Sequence, residues 1–143
     1  MTDLAHAVTL RIEVEAQVAF DFLADPLRLG RWSLGCFDTK PAGPAGLYSG
    51  VSLYDGRRAW FRIDADLARH TIDYHVGDAA AQAPRISARV VPGPVCGLCA
   101  TCCYVTLLAW RTAGMDDDRW ARLRSAHEAE IWLIKAQMET AAK

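Results

Sequence analysis

Between residues 34 and 111 the chain offers six short β-forming stretches, and the turns between them are too short to hold a crossover helix. The stretches are Leu34–Asp38, Leu47–Tyr54, Arg58–Ala65, His70–Val76, Arg85–Val91 and Cys102–Arg111. Turn signals part them: PAGPAG at 41–46, DG at 55–56, Gly77-Asp78 and PGP at 92–94. Connections this short impose an antiparallel meander. Such a sheet has a face to cover, and only one other segment is long enough to cover it.

That segment is the last. Asp116, Asp117 and Asp118 open it, where negative charge suits a helix start. Trp120, Leu123, His127, Ile131, Ile134 and Met138 follow at spacings of three and four, one continuous stripe. At ~1.5 Å per residue, ~24 residues span roughly 36 Å, enough to cross a curved sheet. Asp118–Arg122 and Lys135–Glu139 have the i,i+4 spacing of helical ion pairs.

The start of the chain adds a seventh strand. In VTLRIEVE, Val8, Leu10, Ile12 and Val14 share one face, and Thr9, Arg11, Glu13 and Glu15 share the other. AQVAFDFLA then has helical spacing. DPLRLG reads as a second short helix, with Asp25 as cap, Pro26 at the first position and Gly30 at its end.

With 143 residues and 52% hydrophobic content, residues 1–143 are expected to form one domain around one core. A net charge of −1 gives no general attraction to nucleic acid or to an anionic membrane. MTDLAHAV lacks a basic region and an apolar run, so no membrane insertion and a cytoplasmic location are expected.

The opening VTLRIEVEAQVAFDFLADPLRLGRW and the closing HEAEIWLIKAQME resemble the ends of the START-like superfamily, which includes polyketide cyclases and lipid-transport proteins. The resemblance covers nearly the whole chain. It implies an α+β helix-grip fold: a seven-stranded antiparallel sheet curved around a long C-terminal helix, with two short helices after strand 1. It also implies a cavity between sheet and helix. Its motifs are specific for fold and poor for function.

Ala65, Ala88 and Ala126, small residues on facing positions, would leave room for a ligand. The expected ligand contacts are Trp32, Tyr74, Tyr104, Trp120, Leu123, His127 and Ile131. His127 interrupts an apolar stripe and is the one candidate catalytic group, since imidazole titrates near neutral pH. Its alternative is a core histidine bonded to a carbonyl or to Tyr74. Arg89 alternates with Ala88 and Val90, which points it to solvent. Tyr104, Thr106, Leu108 and Trp110 form one face of the last strand, and Val105, Leu107 and Ala109 the other. Both are substantially apolar, so alternation does not say which is inside. The outer face then calls for cover, which a second copy of the chain would supply. No nucleophile elbow, phosphate loop or HExxH appears. Asp64, Asp66 and Asp73 read as solvated strand ends.

CGLCATCC at 96–103 holds four of the five cysteines. Cys96, Cys99 and Cys102 repeat every third residue, but Thr106 and Leu107 stand where the bacterial iron–sulfur run needs Cys and Pro. A zinc half-site fits Cys-x2-Cys, yet its second half is missing, and Cys36 or His70 would have to complete it. Small packed hairpin residues are the plainer reading, and no cofactor is expected. Cys36, alone, reads as a packed thiol. The meander places the hairpin at the end of the sheet opposite the turns after strands three, five and seven, where the resemblance puts the ligand gate.

Three functions remain open. The first is a binding protein for a hydrophobic or aromatic small molecule. The second is a cyclase- or dehydratase-like enzyme with a pocket His or Tyr as acid and base. The third is a thiol or zinc module built on the cysteine hairpin.

Overall fold

The computed structural model describes residues 3–141. The chain runs β1 (Ala5–Ile12), α1 (Ala16–Leu23), α2 (Pro26–Leu29), β2 (Phe37–Pro41), β3 (Tyr48–Val51), β4 (Arg58–Asp66), β5 (Thr71–Gly77), β6 (Gln82–Pro92), β7 (Cys103–Trp110) and α3 (Asp117–Ala141). One seven-stranded sheet has the order β1-β7-β6-β5-β4-β3-β2, with every neighbouring pair antiparallel. This is the expected helix-grip architecture. The chain closes by laying β1 beside β7, while β2–β6 follow as a meander.

Register decides which face is inside. Val8 pairs with Leu107, Leu107 with Ala88, and Ala88 with Ile72, a row of apolar side chains across four strands. Leu10, Val105 and Val90 form the next row. These rows meet Ile131, Ile134 and Met138 of α3 in one core. The ambiguity of the last strand is thereby resolved: Cys103, Val105, Leu107 and Ala109 are buried, while Tyr104, Thr106 and Leu108 are partly exposed and Trp110 is exposed.

Several element boundaries depart from expectation: β1 and β6 each begin three residues early, β3 ends at Val51 instead of Tyr54, and two further shifts have a visible cause. β1 ends at Ile12 because Glu15 already stands at the N-terminus of α1, although Val14 remains buried. β2 begins at Phe37, not Leu34, because the Leu34 N–H donates to the Glu130 carboxylate (2.8 Å) instead of joining the sheet. Pro41 is accommodated because β2 is an edge strand.

Asp25 caps α2 as expected, accepting from the Leu27 N–H at 2.9 Å. Gly30 serves a different purpose from the one its sequence position suggests. Its φ of −65° suits any residue, but a Cβ there would lie 2.4 Å from the Thr39 N and Oγ1 atoms. Close approach of β2 requires the glycine. Lys135 and Glu139 pair at 2.5 Å as the spacing predicts. Arg122 does not pair with Asp118; it lies over the Tyr54 ring and 3.8 Å from Asp55.

Candidate functional site

α3 does not fill the concavity along its whole length. Toward its N-terminus the sheet and helix separate around a partly open cavity of about 820 Å³. Its mouth lies among Asp55, Gly77, Asp78 and the first turn of α3. This is the end, shared by the turns after strands three, five and seven, at which the resemblance implied the gate. The volume is in the range of small-molecule sites.

The inner wall is mainly apolar: Leu29, Trp32, Phe61, Tyr74, Val76 and Leu123. Trp32 and Tyr74 meet edge to face, 6.1 Å between centroids. Four exposed arginines (Arg57, Arg58, Arg119 and Arg122) and four aspartates (Asp55, Asp78, Asp116 and Asp118) surround the opening.

Of the residues expected to touch a ligand, Trp32, Tyr74, Leu123 and His127 line this cavity. Three others lie elsewhere. Tyr104 stands on the outer face of β7, opposite Arg11. Trp120 is buried against Ala109 and Met115, and its Nε1 donates to the Asp3 carbonyl. Ile131 belongs to the solid core one turn deeper along α3. Of the small residues, Ala126 lines the cavity, Ala88 is packed in the core, and Ala65 is exposed. Arg89 is exposed, as its alternation predicts.

His127 does not bond to Tyr74. The Tyr74 hydroxyl donates to the Leu23 carbonyl at 2.6 Å, and burial raises its pKa. That hydroxyl is committed to the fold. His127 instead places Nε2 4.0 Å from the Glu130 carboxyl, while its Nδ1 is buried without a partner. The separation is that of an ion pair, but at neutral pH the His127 charge is missing and the Glu130 charge is only partly formed. Burial first, then His6 and Arg85, push the His127 pKa down to about 4. Burial pushes Glu130 up to about 7, against the opposing Leu34 N–H. A neutral base therefore faces a carboxyl group that holds a proton into the neutral range.

Glu130 and Arg85 are polar cavity residues that the sequence reading missed. Glu130 follows His127 by three and precedes Ile134 by four, so its spacing placed it on the buried stripe. Its charge argued for the surface. Arg85 is turned inward by a bulge. The pairing of β5 with β6 jumps from Tyr74↔Ile86 to His75↔Pro84, leaving Arg85 as the extra residue. Arg85 and Ile86 both line the cavity. No alternation count could reveal this, because a bulge breaks the count.

The cysteines lie away from the cavity, except Cys36. Cys36 lines it, buried, with its pKa pushed up to about 12 by that burial, which suits a packed thiol. Cys96 and Cys99 are exposed, while Cys102 and Cys103 are buried. The Cys102 Sγ faces the Cys99 carbonyl (3.6 Å), and the Cys99 Sγ is 3.0 Å from the Thr101 hydroxyl. Cys96, Cys99 and Cys102 do not converge: among the described residues no three His, Cys, Asp or Glu side chains group as metal ligands. The hairpin wraps Gly93, where a Cβ would lie 2.3 Å from the Cys99 carbonyl oxygen. Replacing Cys96 and Cys99 with Ser is expected to change the affinity for a cavity-bound aromatic probe by no more than a few-fold. Loss of binding at an unchanged melting temperature would contradict the separation of hairpin and cavity.

No protein-family model and no curated protein matches the sequence. Solved structures do match. The Zhui aromatase/cyclase from Streptomyces sp. R1128 superposes with a TM-score of 0.72 at 17% identity, over 97% of this chain and 95% of that one. A START superfamily protein from Mycobacterium smegmatis gives 0.68 at 8% identity, over 96% and 98%. The Aha1 dimer from Colwellia psychrerythraea gives 0.67 at 12% identity, over 96% and 97%. The fold is that of the START-like, polyketide cyclase-like proteins. Among the described residues no helix is long and apolar enough to cross a membrane.

Proposed function

We propose that this protein binds an aromatic or hydrophobic small molecule in the cavity between the sheet and α3. One observation carries the reading: a cavity of about 820 Å³ whose inner wall is mainly aromatic and aliphatic, with Arg85, His127 and Glu130 as the polar groups set among it. The START-like and aromatase/cyclase neighbours support it. The test is titration with a neutral aromatic probe, 2-naphthamide, followed by calorimetry. Saturable one-to-one binding is expected. It should be lost in Ala126→Phe, and also in Leu123→Trp in case the first variant folds poorly. Absence of binding, or binding indifferent to both fillings, would overturn the reading.

A second reading, acid–base catalysis on the bound molecule, is favoured by the His127–Glu130 pair. Neutral His127 can take a proton from the carbon beside a ligand carbonyl. Glu130, holding its proton, can give it to a departing hydroxyl on the next carbon, so that water leaves and a double bond forms. The imidazolium and carboxylate then left 4.0 Å apart restore themselves by returning the proton from His127 to Glu130. An aryl β-hydroxy ketone offered to the protein tests this: its dehydration should appear with the wild type and vanish in both His127→Gln and Glu130→Gln. Dehydration that survives in either variant would remove the pair from the chemistry.

A further inference from the structure

We propose that the bound molecule carries a carboxylate, or an equivalent planar oxyanion, seated on Arg85. This rests on the reading of the cavity as a ligand site and names the chemical class that the site selects. The bulge in β6 turns the Arg85 guanidinium into the cavity, beside His127 and Arg119.

Arg85 differs from Arg58 and Arg122 at the mouth. Arg122 has Asp55 at 3.8 Å, and Arg58 donates to the Ser49 hydroxyl at 3.0 Å. The Arg85 Nη1 is buried with no hydrogen-bond partner, and among the described residues no carboxylate lies within ion-pair distance of it. Two of the acids that line the cavity are engaged elsewhere. Asp78 accepts from the Ala80 and Ala81 N–H groups, and Asp116 accepts from the Arg119 N–H at the start of α3. Burial, and after it repulsion from Arg119, bring the Arg85 pKa down to about 10, so it remains charged at pH 7.

A half-buried guanidinium without a counter-charge is costly, and a second cation beside it raises the cost. An anion entering the cavity relieves both. The guanidinium fork matches a carboxylate in two parallel hydrogen bonds, which a neutral oxygen cannot reproduce. Two further buried polar atoms on lining residues lack partners, Trp32 Nε1 and His127 Nδ1, and both residues are more than nine-tenths buried. The walls between them are aromatic. The complementary molecule is an aromatic body with an oxyanion at the Arg85 end.

The test compares two probes of one shape, 2-naphthoate and 2-naphthamide, by calorimetry at pH 7. The wild type should prefer naphthoate at least ten-fold. Arg85→Met should remove that preference while leaving naphthamide binding within about three-fold. Arg85→Lys, which keeps the charge and loses the fork, should retain part of the preference and serves should Arg85→Met fold poorly. Naphthamide binding as tightly as naphthoate, or a preference that survives in both variants, overturns the assignment of Arg85 and leaves the cavity reading intact. If neither probe binds the wild type, both fall.

Discussion

Ile131→Asp is expected to deliver the protein to the insoluble fraction. Ile131 is 3% exposed and packs in the core that joins α3 to the sheet. The substitution removes about 2 kcal/mol of apolar burial and places a carboxylate where water does not reach, at a further cost of several kcal/mol. Domains of this size are stable by about 5–15 kcal/mol, so little would remain. His127, one turn earlier, could partner the new carboxylate only by taking up a proton that burial, and then His6 and Arg85, oppose. Ile134→Asp closes even that escape, because Glu130 stands one turn before it and Ile134 is fully buried. Ile131→Val, losing one methylene group, should stay soluble at a cost of about 1 kcal/mol. Soluble yield and thermal melts read the series. A soluble Ile131→Asp protein with a cooperative melt would contradict the packing of α3 against the sheet.

His127 and Glu130 should tilt stability against pH in opposite directions. The His127 pKa lies near 4 in the folded protein and near 6.5 in an unfolded chain. Below pH 6.5 the unfolded chain takes up a proton that the folded protein refuses, so this residue destabilises the fold as pH falls from 6.5 to 4. The Glu130 pKa lies near 7 folded and 4.5 unfolded. Its contribution is present below pH 4.5 and lost as pH rises to 7. Each shift corresponds to about 3 kcal/mol. Between pH 4.5 and 6.5 one folded and one unfolded proton balance, so the two contributions cancel and the wild type shows a plateau from this pair.

The variants separate the two slopes. Relative to His127→Gln, the wild type should lose stability as pH falls from 6.5 toward 4. Relative to Glu130→Gln, it should lose stability as pH rises from 4.5 toward 7. Denaturant titrations at half-unit pH steps give both difference curves. A charged pair at the same 4.0 Å would reverse both slopes, since each partner would then hold the other's ionised form. Curves with the reversed signs would overturn the neutral-pair description and with it the acid–base assignment.

Local pattern alone determined most of the architecture. Alternation in Val8, Leu10 and Ile12, the turns at 55–56 and 77–78, and the three-four spacing from Trp120 to Met138 each record a backbone period directly. Those periods carried the strand count, the antiparallel meander and the gripping helix; which end of the sheet opens came from the family resemblance. What the periods could not carry is identity across the cavity. Tyr104 and Val105 are both apolar enough to be inside, and only the pairing of β7 with β1 and β6 assigns Tyr104 to the outer face. Trp120 and Ile131 lie on the same helical stripe as His127, yet the cavity lies only where α3 and the sheet diverge, and that divergence depends on sheet curvature. Glu130 is inside because the Leu34 N–H, 96 positions away in the chain, needs an acceptor there. Arg85 is inside because one extra residue in β6 breaks the alternation that would have turned it to solvent. Periodicity is a property of neighbours along the chain. The polar chemistry of this site is set by neighbours across it, which only the folded sheet and helix bring together.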